Sequence, residues 1–434
     1  MELKNAVIVD GVRSPFSWGG RGMFEATRLD EVGAKIVKVL MERNPKVKGT
    51  MIEDFGIGNV RGDRDLALLS AISRMADLPA EVPSFCTNRQ CGSSMETMMR
   101  IAMSIMVGAT DCGIAFGIER LGRSMLPPET GLPHTRINGP NMKMYEQNQE
   151  QRNMVENHAR YFSVPIPDEV LDSPPLQPMP QTAQNVVDMY SLTREEMDRF
   201  AVDSHMKLLA AYEAGRYKDE VIPMEVEKPV FNDNKEWVPE ETGPMVTFDR
   251  DECLRPTCNL ESLSKLGPIK GLVSFCGNEV KVTAGNSCPT NSGAAALLVM
   301  SEEKAIKLGL EPLARIIGMG VAGVKGQIMG LGPIPATYKA LKHAGLTADQ
   351  IDRVEFNEAF AAQVIPSLRE LGIPGEKVNV NGGSLGIGHP MGATGARLLM
   401  TVAKELRRSG TRYGLATQCI GAGQGISTVL ERMD

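Results

Sequence analysis

Cysteine is scarce in this chain, with eight residues among 434. That is too few for a disulfide-stapled scaffold of this length. No two of them form a Cys-x-x-Cys pair, so neither a zinc ribbon nor a thioredoxin-type redox motif has support. The offsets Cys86/Cys91 and Cys253/Cys258 do not suggest a metal site either. Charge of one sign is also lacking. The net charge is -6, so no global field favours nucleic acid. No apolar run reaches the length of a transmembrane segment; the best, around Ile101 to Ile118, is broken by Asp111. The start runs straight into the strand-like Ala6-Val7-Ile8-Val9-Asp10, without the pattern of a secretion signal. These absences lead to the expectation of a cytoplasmic protein with reduced thiols.

What is present is an ordinary globular composition, 42% hydrophobic and 23% charged, which excludes disorder of the whole chain. The length suggests two or three domains. Proline and glycine are unevenly spread. Pro127, Pro128, Pro133, Pro140, Pro165, Pro167, Pro174, Pro175, Pro178 and Pro180 fall in one stretch, which cannot be regular core structure. Glycine clusters late, at Gly382, Gly383, Gly386, Gly388, Gly392 and Gly395, then at Gly421, Gly423 and Gly425.

The two ends of the chain share a layout. Strand Ala6–Asp10, a helix over about Leu29–Met41 and strand Ile52–Ile57 match strand Ala314–Gly318, a helix over about Thr337–His343 and strand Ile351–Phe356. The interval from Ile52 to Cys91 equals, to within one residue, that from Ile351 to His389. Apolar strands follow at Gly113–Gly117 and Gly414–Cys419. This pattern predicts two copies of one α/β unit. Between them, Thr193-Arg194-Glu195-Glu196 reads as a capping box for a helix ending near Gly215, inside a segment inserted into the first copy.

Cys91 falls at the start of a helix with Met95, Met98, Met99, Ala102, Ile105 and Met106 on one face. The methionines read as core. A helix N-terminus favours a thiolate and lowers its pKa, although a buried structural cysteine is the commoner fate of a free thiol. His389 lies in a glycine-dense loop before another helix, and Cys419 ends a strand beside a glycine-rich turn. Two cysteines and a histidine at equivalent ends of two repeats supply what covalent acyl chemistry needs: a nucleophile, a base and a second acid/base. The run Gly318-Met319-Gly320-Val321-Ala322-Gly323 matches G-x-G-x-x-G, but no helix opens after it, so it is assigned to strand and loop.

The strings Asn88-Arg89-Gln90-Cys91-Gly92-Ser93-Ser94-Met95, Asn357-Glu358-Ala359-Phe360-Ala361, Gly388-His389-Pro390 and Cys419-Ile420-Gly421 resemble, in order, those of the thiolase family. So do Val12-Arg13-Ser14-Pro15, Thr283-Ala284-Gly285-Asn286 and Ile328-Met329-Gly330-Leu331-Gly332-Pro333. The closest likeness is to the degradative 3-ketoacyl-CoA thiolases. The resemblance implies an α/β thiolase fold, with two repeated halves packed as layered α-β-α-β-α and an inserted loop subdomain. The expected division is 1–120 with 251–300 as the first half, 121–250 as the insertion and 301–434 as the second half.

The resemblance also implies roles. Cys91 carries the acyl group, His389 takes the thiol proton and Cys419 protonates the departing carbanion and later helps activate CoA. Asn357 holds a water that with His389 forms one oxyanion site. The backbone N–H groups of Cys91 and Gly421 form the other. Met329, Ser287, Cys288 and Gln418 are the expected substrate-binding residues. The implied reaction is CoA-dependent cleavage of a 3-ketoacyl-CoA. The condensing acetyl-CoA acetyltransferase and a non-catalytic acyl-CoA-binding subunit are the alternatives. CoA and acyl-CoA are substrates, with no tightly bound cofactor and no metal. A homodimer or homotetramer is expected, with a hydratase/dehydrogenase subunit as a possible partner. This chain departs from the common family pattern at Cys288, Ser292, Ser384, Gly386 and Gln418, which points to a non-standard acyl substrate. The apolar residues Met142, Met144, Tyr145, Met154 and Phe162 of the insertion read as a lid or a docking element.

Overall fold

Alternating apolar strands and amphipathic stretches settle into layers because each must bury one face. A computed structural model describes residues 3–60, 66–121, 177–235 and 237–433. The first half begins with β1 (Ala6–Arg13), β2 (Ser17–Trp18), α1 (Leu29–Arg43), β3 (Asp54–Gly58) and α2 (Leu66–Met75). It continues with β4 (Ser84–Thr87), α3 (Ser93–Met106) and β5 (Cys112–Glu119). A long excursion follows, with α4 (Met179–Met189), α5 (Arg194–Glu213) and the hairpin β6 (Met224–Phe231) and β7 (Trp237–Phe248). Strand β8 (Asn291–Ser301) then returns to the first sheet. The second half runs β9 (Ala314–Gly323), α6 (Pro333–Ala344), β10 (Arg353–Phe356), α7 (Ala361–Leu371), α8 (Ser384–Ile387), α9 (Met391–Ser409), β11 (Tyr413–Ile420) and β12 (Gln424–Arg432).

The expected repeat is visible in the strand order. The first half reads β1-β8-β5-β3-β4 and the second β9-β12-β11-β10. In both, the first two junctions are antiparallel and the third is parallel. The place of β4 is taken in the second half by Val378, which makes a parallel bridge to Val354. The halves join where β1 meets β9, through Val7 with Arg315 and Ile8 with Ala314. Strand β3 starts two residues later than its apolar run suggests, because Gly49–Met51 forms a 3-10 turn ahead of it.

Helices α3 and α9 pack against each other and lie between the two sheets, while α1 and α2 cover the outer face of one and α6 that of the other. The middle layer is filled by Met95, Met98 and Ile105 of α3 against Leu398, Leu399 and Val402 of α9. Each fully buried leucine there contributes about 1.5–3 kcal/mol. Met95, Met98 and Met99 are core and Met106 packs against them, as the periodicity of α3 predicts, while Met103 on the other face is exposed. The two helices approach closely because Gly395 has no side chain; a Cβ there would lie 2.4 Å from the Met95 nitrogen.

The G-x-G-x-x-G run lies within β9 and no helix opens there. Its glycines admit α6, since a Cβ on Gly320 would lie 2.3 Å from the Ala336 carbonyl. Thr193 caps α5, its Oγ1 accepting from the Glu196 N–H at 3.1 Å, and Gly215 at φ +68° follows the end of that helix. Buried Arg13 ties the excursion to β1. Its Nε donates to Glu220 at 2.6 Å and its two terminal nitrogens to Asp251 at 2.7 and 2.8 Å. Tyr212 of α5 adds a hydroxyl bond to Asp251 at 2.8 Å. Pro178 and Pro180 sit at the start of α4, where proline is tolerated. The other clustered prolines, and Met142, Met144, Tyr145, Met154 and Phe162, lie outside the described residues. Among the described residues no helix is long and apolar enough to cross a membrane.

Candidate active site

Cys91 stands on a tight strand–turn–helix corner between β4 and α3. Gln90 takes the left-handed φ of +46°. The corner is held locally by Asn88 Oδ1 accepting from the Gln90 N–H at 3.0 Å and by the Ser93 hydroxyl donating to the Gln90 carbonyl at 2.6 Å. From the second half, Gln418 Nε2 donates to the Cys91 carbonyl at 2.6 Å. The helix start does not leave the thiol acidic, contrary to the sequence expectation. Burial pushes Cys91 up to about 11, outweighing the N–H groups of Gly421 and of Cys91 itself, which pull it down. Desolvation of a thiolate in an apolar pocket exceeds the half-charge of one helix end.

His389 comes from the loop between α8 and α9, with its backbone N–H donating to Asn291 Oδ1 at 2.9 Å. Its Nδ1 lies 2.7 Å from the Thr394 hydroxyl, which spends its one proton on the Pro390 carbonyl at 2.9 Å. The Thr394 oxygen must therefore accept, so Nδ1 carries the ring proton and Nε2 is the accepting nitrogen. Burial, and then Arg397, push the imidazole down to about 3. The ring is thus a neutral acceptor at neutral pH. Asn357 follows β10, and its Nδ2 lies 3.4 Å from His389 Nε2. The Asn357 backbone is pinned by its own N–H to the Thr417 carbonyl at 2.9 Å and by Gln363 Nε2 to its carbonyl at 2.9 Å.

Cys419 lies near the end of β11, fully buried, and burial pushes its thiol well above the ordinary range. A cavity of about 400 Å³ brings Cys91, His389 and Cys419 together, a size suited to a small-molecule site. Met329, Ser287 and Cys288 also line it. Gln418 does not; it is fully buried behind Cys91 and holds that residue's carbonyl. Asn357 likewise sits behind His389 rather than on the cavity wall. Cys253 also faces this cavity and accepts from Asn291 Nδ2 at 3.0 Å. Among the described residues no cluster of histidine, cysteine and carboxylate side chains is arranged to hold a metal.

Sequence reasoning missed the groups that hold this constellation in place. Thr394 fixes the His389 tautomer, and a buried row of Glu355, Arg397 and Ser384 leads to Asn357. Arg397 Nη1 donates to Glu355 Oε2 at 2.6 Å and Nη2 to Ser384 Oγ at 2.7 Å, and Ser384 donates to Asn357 Oδ1 at 2.6 Å. A charged arginine on a helix gives no sequence sign of pointing inward. The available signal is that Arg397 falls just over two turns after His389, on the α9 face shared with Thr394 and Thr401.

Two family models match the chain, described as "Thiolase, N-terminal domain" over residues 6–303 and "Thiolase, C-terminal domain" over residues 310–432. A 3-ketoacyl-CoA thiolase of Vibrio vulnificus is 36% identical, over 99% of this chain and 100% of that protein. A beta-ketoadipyl-CoA thiolase of Acinetobacter baylyi is 37% identical, with the same coverage. Among solved structures, the dimeric peroxisomal thiolase of Saccharomyces cerevisiae superposes with a TM-score of 0.80 at 29% identity, covering 99% of this chain and 97% of that one.

Proposed function

This chain belongs to the thiolase family of acyltransferases, and from that premise we propose that it cleaves a 3-ketoacyl-CoA with CoA, through an acyl group carried on Cys91. The observation that carries the reading is the cavity in which the thiols of Cys91 and Cys419 meet a neutral imidazole. Cys91 attacks the 3-keto carbon while its proton passes to His389 Nε2. The alkoxide that forms is met by the N–H groups of Cys91 and Gly421. Its collapse breaks the C2–C3 bond and sends the electron pair into the enolate of acetyl-CoA, whose oxygen faces His389 and a water held by Asn357. The Cys419 thiol gives its proton to the enolate carbon. The resulting Cys419 thiolate then takes the proton of incoming CoA, whose sulfur attacks the Cys91 thioester. Cys91 leaves as thiolate and recovers its proton from His389. Preorganised donors of this kind are worth about 100- to 1000-fold each in rate.

CoA enters as a substrate in this reading, and no bound cofactor is called for. All eight cysteines are free, which suits a reducing compartment such as the cytoplasm, where Cys91 stays a thiol. The substrate chain is either a simple acyl group or one bearing a carboxylate, the classes for which the two relatives are named. A homodimer is favoured by half-buried β4, which pairs on one side only among the described residues and ends the sheet. A hydratase/dehydrogenase subunit would supply the 3-keto group. The test is mass spectrometry after mixing with a 3-ketoacyl-CoA in the absence of CoA. The peptide containing Cys91 gains the mass of the shortened acyl group. An unmodified peptide, or full thiolysis by Cys91→Ala, overturns the proposal.

A further inference from the structure

We propose that Gln418 is a positioning residue that sets the spacing between the two N–H groups facing the Cys91 adduct, and that it thereby governs acyl transfer on Cys91 separately from enolate formation. The inference deepens the thiolase reading above and rests on it. The two donors belong to different halves of the chain. The Cys91 N–H comes from the corner between β4 and α3, and the Gly421 N–H from the turn between β11 and β12. Both point at the Cys91 sulfur. Each is stiff within its own half. The corner is closed by the bonds that Asn88 and Ser93 make to the Gln90 backbone. The turn is closed by the pairing of Cys419 with Gly425 and of Ile420 with Gln424. Its residues Ala422 and Gly423 take left-handed φ values of +66° and +84°. Neither half alone fixes the distance from one donor to the other.

Gln418 spans that gap. It lies three residues before Gly421, on β11, and its Nε2 donates to the Cys91 carbonyl at 2.6 Å. A flipped amide would set two acceptor oxygens against each other, so the NH₂ end must be the one that faces Cys91. Arg89 Nη1 also crosses between the halves, donating to Gln424 Oε1 at 3.1 Å, but both of those side chains are only half-buried. Gln418 is fully buried, and its Oε1 has no hydrogen-bond partner among the described residues. An orphaned buried acceptor is destabilising. An apolar side chain of the same length would remove it. A buried polar group that keeps one end unmet points to a use for the other end. Here that use is the hold on Cys91.

The adduct oxygen needs both donors whenever an acyl group moves on or off Cys91. A reacting group misplaced by about 1 Å loses about 100-fold in rate. The enolate oxygen faces a different site, formed by His389 and the water held by Asn357. The two steps can be read separately on one protein. Exchange of labelled CoA into acetyl-CoA reports acyl transfer. Loss of the α-protons of acetyl-CoA into D₂O, followed by NMR, reports the enolate. Gln418→Met keeps the length of the side chain and removes both polar ends. It is expected to slow the first exchange about 10- to 100-fold, less than full removal of a donor, and to leave the second within about threefold. Loss of the orphaned Oε1 offsets loss of the bond to Cys91, so the melting temperature should stay within about 3 °C of wild type or rise. Gln418→Leu is expected to behave in the same way and covers the case in which the methionine fits poorly. Equal slowing of both exchanges, or a larger fall in melting temperature in both variants, means a merely structural role and overturns the inference. So does an unchanged acyl exchange in either variant. A wild-type protein that performs neither exchange overturns the thiolase reading itself.

Discussion

The resting state of Cys91 gives a prediction that can be worked through numerically. Burial moves its thiol from an ordinary 9.0 to about 11, and moves His389 from 6.5 to about 3. A thiolate–imidazolium pair would need both values displaced the opposite way. At pH 7.5 the thiolate fraction of Cys91 is then about 0.03%, against roughly 3% for an unperturbed thiol, a hundredfold difference worth about 2.7 kcal/mol. The assay is the rate of iodoacetamide modification of the free protein, read on the Cys91 peptide so that the other seven cysteines do not interfere. The rate should rise about tenfold per pH unit from pH 6 to 10 and level off only near 11, because alkylation follows the thiolate. His389→Ala should leave the position of this profile unchanged, since a neutral ring contributes no charge to stabilise the thiolate. A plateau between pH 6 and 8 that disappears in His389→Ala would show a preformed ion pair. It would also refute the view that the nucleophile is generated only once substrate fills the cavity.

Two further perturbations probe the frame. Arg13→Met leaves Asp251 and Glu220 buried without their cation, and should cost about 3–5 kcal/mol in urea unfolding; a loss under 1 kcal/mol would show that the excursion is anchored elsewhere. His205 is buried and pushed down to about 4 by burial and then by Arg255. A group whose folded value is depressed binds its proton first in the unfolded chain, so stability falls as pH drops from 6.5 toward 4. Wild type should therefore lose about 1.4 kcal/mol per pH unit in that window relative to His205→Gln; parallel stability curves would show that His205 does not titrate on unfolding.

The repeat and most of the site were legible because they depend on local pattern. Strand and helix periods, the Thr193 cap and the placing of Cys91, His389 and Cys419 at element ends can all be read within short windows. The position of β8 could not be. Asn291–Ser301 is a run of small and apolar residues that would fit any interior strand, and its place between β1 and β5 depends on contacts made across the whole insertion. The acidity expected of Cys91 failed for a similar reason. A helix start is visible in sequence, whereas the desolvation that outweighs it comes from the second half closing over the thiol. Gln418 shows the same limit: its proximity to Cys419 suggested the substrate pocket, while its side chain turns back to the Cys91 carbonyl.

Cys91 comes from the first sheet's side, and His389, Asn357 and Cys419 all come from the second, yet the sheets themselves meet along only a short seam between β1 and β9. Neither half carries a complete reaction. On the proposed mechanism, a chain with one half folded would neither load an acyl group nor release an unprotonated enolate. In a refolding experiment, activity should be the last property to return, after each sheet has formed.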